Sequence, residues 1–294
     1  MGYNFFDIFF MNEILERLKQ LDLGIETIVP IKGGDINDAF RLESFDKKYF
    51  LKVNSSANFP NLLKKEARGL DALNKTNTFS TPKILNIGEI GKDFQYLLLE
   101  WIETSTPTII DWENFGRNLA KLHQNTAKQF GWNEDNYMAI VLQPNKQTDS
   151  WSEFYANNRI MPMMKLLQNK QLITSKQVKS AENMCKQLGS IFPKEKPSLI
   201  HGDFWNGNIL ANQEGDFTII DPAIYYGHRE MDIALAKLFG GFDDAFFDAY
   251  QEAFPLEKNS EERLPIAQLF PLLIHAYLFE GYYVKDVQTI LKKF

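Results

Sequence analysis

The chain is poor in cysteine. Cys185 stands alone among 294 residues, so no intramolecular disulfide framework is available and the thiol content fits a reducing compartment. Histidine is nearly as scarce: His123, His201, His228 and His275 show none of the paired spacings of a zinc site. Positive charge is outweighed too. The 32 Lys and Arg face 38 Asp and Glu, a formal net charge of −6, and the basic residues are scattered, whereas a nucleic-acid partner would need a concentrated basic face. Long hydrophobic runs are missing as well. The most apolar later stretch, Phe270 to Phe279, is too short to span a bilayer and contains His275, so no membrane partner is expected. Residues Met1 to Phe10 hold four Phe but no Lys or Arg and no small-residue cleavage site, which makes a poor signal peptide. They read as a hydrophobic extension, or as sequence ahead of a start at Met11, and the expected location is the cytoplasm.

What is present is globular: 44% hydrophobic and 24% charged residues, enough chain for one large domain or two lobes. Helical spacing over residues 12–21 gives way to β-branched and aromatic segments at 25–31, 39–43 and 49–53. A helix is expected over 61–74, then strands at 83–87 and 94–100, with Thr81 and Pro82 as punctuation. From Asp111 the pattern turns helical, over 111–129, 151–168, 175–188, 230–239, 244–254 and 264–279. A short strand pair at 209–211 and 217–220 interrupts it. This is an α+β chain of two lobes, β-rich over 1–102 and mainly helical over 103–294, joined near Glu100 to Glu103.

The strongest chemical signal is HGDFWNGN at 201–208, followed by a hairpin and IIDP at 219–222. Asp203 and Asn208 thus share a loop, and Asp221 sits at a strand end. Singly each is an ordinary turn residue. Together they supply what phosphoryl transfer needs: a carboxylate to accept the proton of an attacking hydroxyl, and hard oxygens for Mg²⁺ bridging phosphates. Asn208 and Asp221 suit the metal, leaving Asp203 to face the acceptor. Upstream, IKGGDIND at 31–38 lies between two strands, where Gly33 and Gly34 let backbone N–H groups approach phosphates. It is no Walker loop, since no GK[ST] follows. In YFLKV, 49–53, alternation sets Lys52 on the face opposite Leu51 and Val53, positioned for the α- and β-phosphates. Glu66, the one Glu of the expected helix 61–74, is the carboxylate such a buried lysine needs.

These motifs, with GGDINDAFRL at 33–42, FGW at 130–132, QPN at 143–145, DPAIYYGHREMDIA at 221–234 and LFGGF at 238–242, give the chain from about Met11 a resemblance to the fructosamine kinase (ketosamine 3-kinase) family. That family sits in the protein-kinase-like superfamily with aminoglycoside and choline kinases. The resemblance implies a two-lobed protein-kinase-like fold and an ATP- and Mg²⁺-dependent transfer to the 3-hydroxyl of a ketosamine, free or on a glycated protein lysine, as deglycation repair. It implies Lys52 and Glu66 as the nucleotide-lobe ion pair, Asp203 as base, and Asn208 and Asp221 as metal ligands. The turn Gly33, Gly34, Asp35, Ile36 and Asn37 would lie over the phosphates, and the backbone of Glu100, Trp101 and Ile102 would hold adenine.

On the acceptor side, Trp205 could stack on a sugar, and His228, Arg229, Glu230 and His275 are further candidates. The first three also suit an ordinary network at a helix start. His201 is read as a brace of the catalytic loop, and Asp232 and His123 as structural. Another small-molecule kinase, for an aminoglycoside or amino alcohol, is the alternative. A protein kinase is disfavoured by the short step from Asp221 to the next helix and by the missing APE signature. Two places depart from the family pattern: Met138-Ala139 where Ile-Gly is usual, and Glu280 inside a normally glycine-rich stretch.

Overall fold

The computed structural model describes residues 8–31, 37–106, 109–212 and 216–294. Helix α1 (Ile8–Lys19) leads into β1 (Thr27–Ile31), β2 (Asp38–Glu43) and β3 (Lys48–Ser55). Helix α2 (Leu62–Asn74), β4 (Ile84–Ile90) and β5 (Phe94–Glu100) follow. The strands form one antiparallel sheet in the order β1-β2-β3-β5-β4. Its two faces are covered by different helices because β3 alternates as its sequence requires. Leu51 and Val53 pack with Phe40, Leu98 and α1 residues Ile14 and Leu18, whereas cross-strand Leu97, opposite Lys52, packs beneath α2 with Leu63 and Leu70. Lys52 therefore emerges, 4% exposed, on the α2 side.

The remainder is mainly helical: α3 (Ile109–His123), β6 (Asn136–Met138), β7 (Val141–Gln143), α4 (Trp151–Tyr155), α5 (Met161–Asn169), α6 (Ser175–Ile191), β8 (Ser198–Ile200), β9 (Ile209–Ala211), β10 (Phe217–Ile219), β11 (Tyr225–Gly227), α7 (Glu230–Phe239), α8 (Asp244–Ala253), α9 (Ser260–Ala267), α10 (Leu269–Phe279) and α11 (Gly281–Leu291). One π-helical turn, Ala156–Ile160, joins α4 to α5. No helix among the described residues is long and apolar enough to cross a membrane.

Two expected helices are shorter than their periodicity. The one expected to reach residue 129 ends at His123, because Asn125 turns its amide back onto the carbonyls of Lys121 and Leu122. The Asn125 carbonyl then accepts from Leu199 N–H at 2.8 Å, tying this turn to β8. The one expected over 264–279 is split into α9 and α10. The Tyr155 hydroxyl enters the ladder there, donating to the Ile266 carbonyl at 2.7 Å and accepting from Phe270 N–H at 3.3 Å, and Pro271 lacks a donor of its own.

Candidate active site

Three segments meet where β3 faces the β8–β10 region. The Lys52 ammonium lies 2.8 Å from Glu66 Oε1 on α2, and it also donates to Asp221 Oδ1. Burial alone would lower its pKa, but the carboxylates of Asp221 and Glu66 outweigh that and hold the ammonium above its ordinary range. Glu66 is pushed up to about 7 by burial, against the pull of Lys52 and with the nearby Asp221 carboxylate adding to the rise.

The loop after β8 carries Asp203. Its Oδ2 accepts from Asn208 Nδ2 at 3.0 Å, and the same amide nitrogen reaches the Asp203 carbonyl at 2.9 Å. Burial pushes the Asp203 carboxyl up to about 7. The Asn208 bond opposes this, and the nearby Asp221 and Asp232 carboxylates add to it. Strands β9 and β10 then bring the second half of the motif alongside, because Ile220 N–H donates to the Asn208 carbonyl at 3.0 Å and Asp221 follows directly. Asp221 adopts φ 55°, a left-handed backbone that Asp tolerates better than most side chains.

The loop is braced from behind. His201 donates from Nε2 to the Ile220 carbonyl at 3.0 Å and accepts Asp203 N–H on Nδ1 at 3.3 Å, and burial lowers its pKa, so the neutral ring serves both bonds. Asp232 on α7 accepts the N–H groups of His201 and Gly202 at 2.8 and 2.9 Å and contacts His123 Nε2 at 3.2 Å. Gly202 has φ 82°, and a Cβ there would lie 2.2 Å from the Ala223 carbonyl oxygen, so only glycine permits this clamp. The QPN segment supports the other flank. Gln143 and Asn145 both donate to Asn136 Oδ1, and Asn136 donates to the Ile224 carbonyl at 2.8 Å, just beyond Asp221.

The donor set fits a hard divalent cation. Asn208 directs its amide nitrogen at Asp203, so its Oδ1 is left to accept, and no described residue donates to it or to Asp221 Oδ2. Among the described residues no cluster of three or more His, Cys, Asp or Glu forms a metal site by itself. An ion here would therefore lean on water and phosphate oxygens as well, which is how Mg²⁺ is commonly held.

Other expected residues are distributed unevenly. Gly33, Gly34, Asp35 and Ile36 lie outside the described residues, while Asn37 Oδ1 accepts from Asn54 Nδ2 at 2.5 Å beside β3. Glu100 ends β5 and its carboxylate accepts Lys83 N–H at 2.7 Å, after which Trp101 and Ile102 leave the sheet. The Trp101 ring lies beneath the Arg41 guanidinium, 5.8 Å from the ring centroid.

His228, Arg229 and Glu230 are not brought to the Asp203 loop. All three are buried: Arg229 holds Glu195 at 2.8 and 2.9 Å and the carbonyls of Phe254 and Pro255, and Glu230 pairs with Arg263. His228 sits between the Trp151 and Phe192 rings with its pKa lowered by burial. This is the helix-start network, with every guanidinium and carboxylate partnered inside the protein.

Trp205 is 38% exposed at the lip of the loop, and Phe239 stands 5.9 Å from it, with His275 4.8 Å beyond. His275 and Trp205 are candidates from the sequence, whereas Phe239 and the aromatic residues of α11 are brought beside them only by the fold. Their signal was the spacing of His275, Phe279, Tyr282 and Tyr283, which reads as a helical stripe only once the junction at Glu280 is known.

With this geometry in hand, a model of the fructosamine kinase family matches residues 10–294. A protein of Enterococcus faecium named as a probable ketoamine kinase is 38% identical over 272 residues, covering 91% of this chain and 95% of that one. The crystal structure of a candidate fructosamine-3-kinase from Thermobifida fusca superimposes with a TM-score of 0.84 at 30% identity, over 96% of this chain and 99% of that one. A thermostable mutant of the aminoglycoside phosphotransferase APH(4)-Ia, in a ternary complex with AMP-PNP and hygromycin B, shares the fold, with a TM-score of 0.67 at 14% identity over 94% and 97% of the two chains.

Proposed function

This chain belongs to the fructosamine kinase family, as a phosphotransferase with an alcohol group as acceptor, and from that premise we propose that it moves the ATP γ-phosphoryl group to the 3-hydroxyl of a ketosamine such as fructosamine or ribulosamine. The observation that carries the reading is the meeting of the Lys52–Glu66 pair with Asp221 and the Asp203–Asn208 loop. Residues 1–102 form the nucleotide lobe in this reading, with adenine against the backbone of Glu100 to Ile102, and residues 103–294 form the catalytic and acceptor lobe.

Lys52, released from Asp221, places the phosphates. Asp203 accepts the proton of the attacking hydroxyl, a task suited to a carboxylate pushed up to about 7. Mg²⁺, held by Asn208 and Asp221, would supply neutralisation of phosphate charge. Trp205 covers one face of the sugar. The ketosamine amine, cationic near neutral pH, is attracted to the surplus carboxylates around Asp203, and so orients one hydroxyl at the base.

The same chemistry gives the reaction a purpose. A phosphate on C3 becomes an allylic leaving group when the C1–C2 enaminol forms, and its loss leaves an imine that water hydrolyses. The amine is freed, and deglycation follows. Glycated lysines on cytoplasmic proteins are then acceptors alongside the free compounds.

The test is an ATP-consumption assay of the purified protein against fructosamines, ribulosamines, fructose, an aminoglycoside and choline. Ketosamines should be turned over far faster than fructose, and Trp205→Ala should raise KM for the ketosamine with KM for ATP nearly unchanged. Equal rates on fructose and a fructosamine, or preference for the aminoglycoside or choline, would transfer the protein to the other small-molecule kinases of this fold.

A further inference from the structure

Helices α10 and α11 meet at Glu280 and Gly281, both at φ 58°, and this turn sets the end of one helix beside the start of the next. His275 and Phe279 are one helical turn apart on α10, and Tyr282 and Tyr283 open α11. Their rings make an unbroken series that begins at the catalytic loop. Trp205 to Phe239 is 5.9 Å between centroids and Phe239 to His275 4.8 Å. From His275, Phe279 is 5.6 Å away and Tyr283 4.9 Å, and Tyr283 to Tyr282 is 4.1 Å.

Phe239, His275 and Tyr283 are half-buried, whereas Trp205 at the inner end and Phe279 and Tyr282 at the outer end are open, the last two 49% and 64% exposed. Of the six large apolar side chains exposed among the described residues, three belong to this one strip, and Val29, Phe45 and Leu142 lie elsewhere. Contiguous exposed apolar surface of this kind is a binding feature far more often than an accident. On its inner side, the Trp205 indole lies against Gly207, where any Cβ would come within 2.1 Å of the ring, so the strip begins at the residue proposed to carry the sugar, seated on the catalytic loop.

We infer that the strip from Phe239 to Tyr282 is the subsite for the amine substituent of the acceptor, and that it selects ketosamines bearing an extended alkyl or aralkyl group. The inference rests on the ketosamine reading. With the sugar on Trp205, the amine substituent is the part of the substrate that continues outward, and the continuous surface available to it is aromatic. Each methylene fully covered there is worth roughly fourfold in affinity, and a phenyl group about tenfold or more. Phe279 and Tyr282 set this preference without touching the reacting atoms, so they discriminate between acceptors rather than accelerate transfer.

The experiment compares N-methyl fructosamine with N-(2-phenylethyl) fructosamine as acceptors for the full chain with ATP and Mg²⁺. The wild type should favour the phenylethyl compound in kcat/KM by about tenfold. Phe279→Ala and Tyr282→Ala should each shrink that ratio several-fold by raising KM for the phenylethyl compound, and the double variant should bring it near one, with KM for ATP unmoved. Phe45→Ala, in the β2–β3 turn and 93% exposed, should leave the ratio at the wild-type value. An unchanged ratio in the double variant overturns the inference, as does an equal loss on both acceptors. A wild-type dimer in sedimentation that Phe279→Ala dissolves, with the ratio intact, would assign the strip to a second copy of the chain instead. If the wild type phosphorylates neither compound, the ketosamine reading itself has failed, which the acceptor panel above reports independently.

Discussion

Two charged clusters stand close together in sequence and far apart in character. Asp203, Asn208 and Asp221 line a loop in which acceptors outnumber donors: Asp221 shares one ammonium with Glu66, and Asp203 has a single amide donor on its carboxylate. His228, Arg229 and Glu230 begin only seven residues after Asp221, yet they are buried, and the charges of Arg229 and Glu230 are matched within the protein. A cluster whose ionic charges are matched in this way holds the fold and has no free guanidinium or carboxylate to offer a ligand. An unmatched one is held at an energetic cost that the fold tolerates, and its free oxygens are available for chemistry.

The largest effect should come from breaking the matched cluster. Arg229→Met strands the Glu195 carboxylate and the Phe254 and Pro255 carbonyls in a largely buried setting, and removal of one partner from a buried pair costs about 3–5 kcal/mol. The midpoint of urea unfolding should fall accordingly, while kcat measured on the folded protein at low temperature stays near wild type. A normal midpoint with kcat/KM for the acceptor lost would mean that Arg229 reaches the substrate and that the two clusters do not differ in role.

The unmatched cluster should respond in the opposite sense. Asp203→Asn should lower kcat by about 10² or more, the scale of a general base, with nucleotide affinity retained. Stability should rise rather than fall. Asp203 is pushed up to about 7 in the folded protein from the ordinary 3.8, so the folded state binds the extra proton between those values. Its contribution to stability is full below pH 3.8 and is lost as pH rises through about 7. Without metal or nucleotide, the wild type should therefore melt below Asp203→Asn at pH 8, the gap narrowing towards pH 5. A gap that widens on acidification would show that the carboxylate is stabilised, not burdened, by its surroundings.

Asp232 joins the two clusters, since it accepts His201 and Gly202 N–H from the catalytic loop and meets His123, whose other nitrogen contacts Tyr250 at 2.8 Å, itself within 3.4 Å of Arg229. Asp232→Asn keeps the size but replaces one acceptor oxygen by a donor facing a backbone N–H, a loss of about 2 kcal/mol in stability. Because the disturbed N–H belongs to the loop of Asp203, kcat should fall too, and by less than in Asp203→Asn. Loss of stability with kcat untouched would separate the clusters.

Much of this was legible in the sequence, and the reasons for the rest are physical. Alternation placed Lys52 on the correct face of β3, because a two-residue period has only two outcomes. The HGDFWNGN and IIDP motifs brought Asp203, Asn208 and Asp221 to one place, because a short hairpin leaves little choice of path. The acceptor side was harder. A helix-start segment such as His228 to Glu230 presents the same residue types whether it faces inward or outward, and only the long-range partners Glu195 and Arg263 decide. The break between α9 and α10 likewise depends on the Tyr155 hydroxyl, more than a hundred residues away in the chain. No local pattern contains it.

The smallest effect tests whether strain, like unmatched charge, marks the working side of the molecule. Ala139 and Glu280, the two places that depart from the family pattern, both fall on backbone that favours glycine: Ala139 has φ 56°, and Glu280 has φ 58° with ψ −138°. For a residue with a Cβ the second combination costs about 1–3 kcal/mol. Glu280→Gly removes that strain, while the added freedom of glycine in the unfolded chain takes back roughly 0.5–1 kcal/mol. The balance is a stabilisation of about 1 kcal/mol, read as a higher urea midpoint at unchanged slope. Catalysis with a small ketosamine should not change, because Glu280 lies at the α10–α11 turn and not in the Asp203 loop. A destabilised Glu280→Gly would mean that the carboxylate makes an interaction stronger than the strain it imposes, and strain at this turn would then say nothing about function.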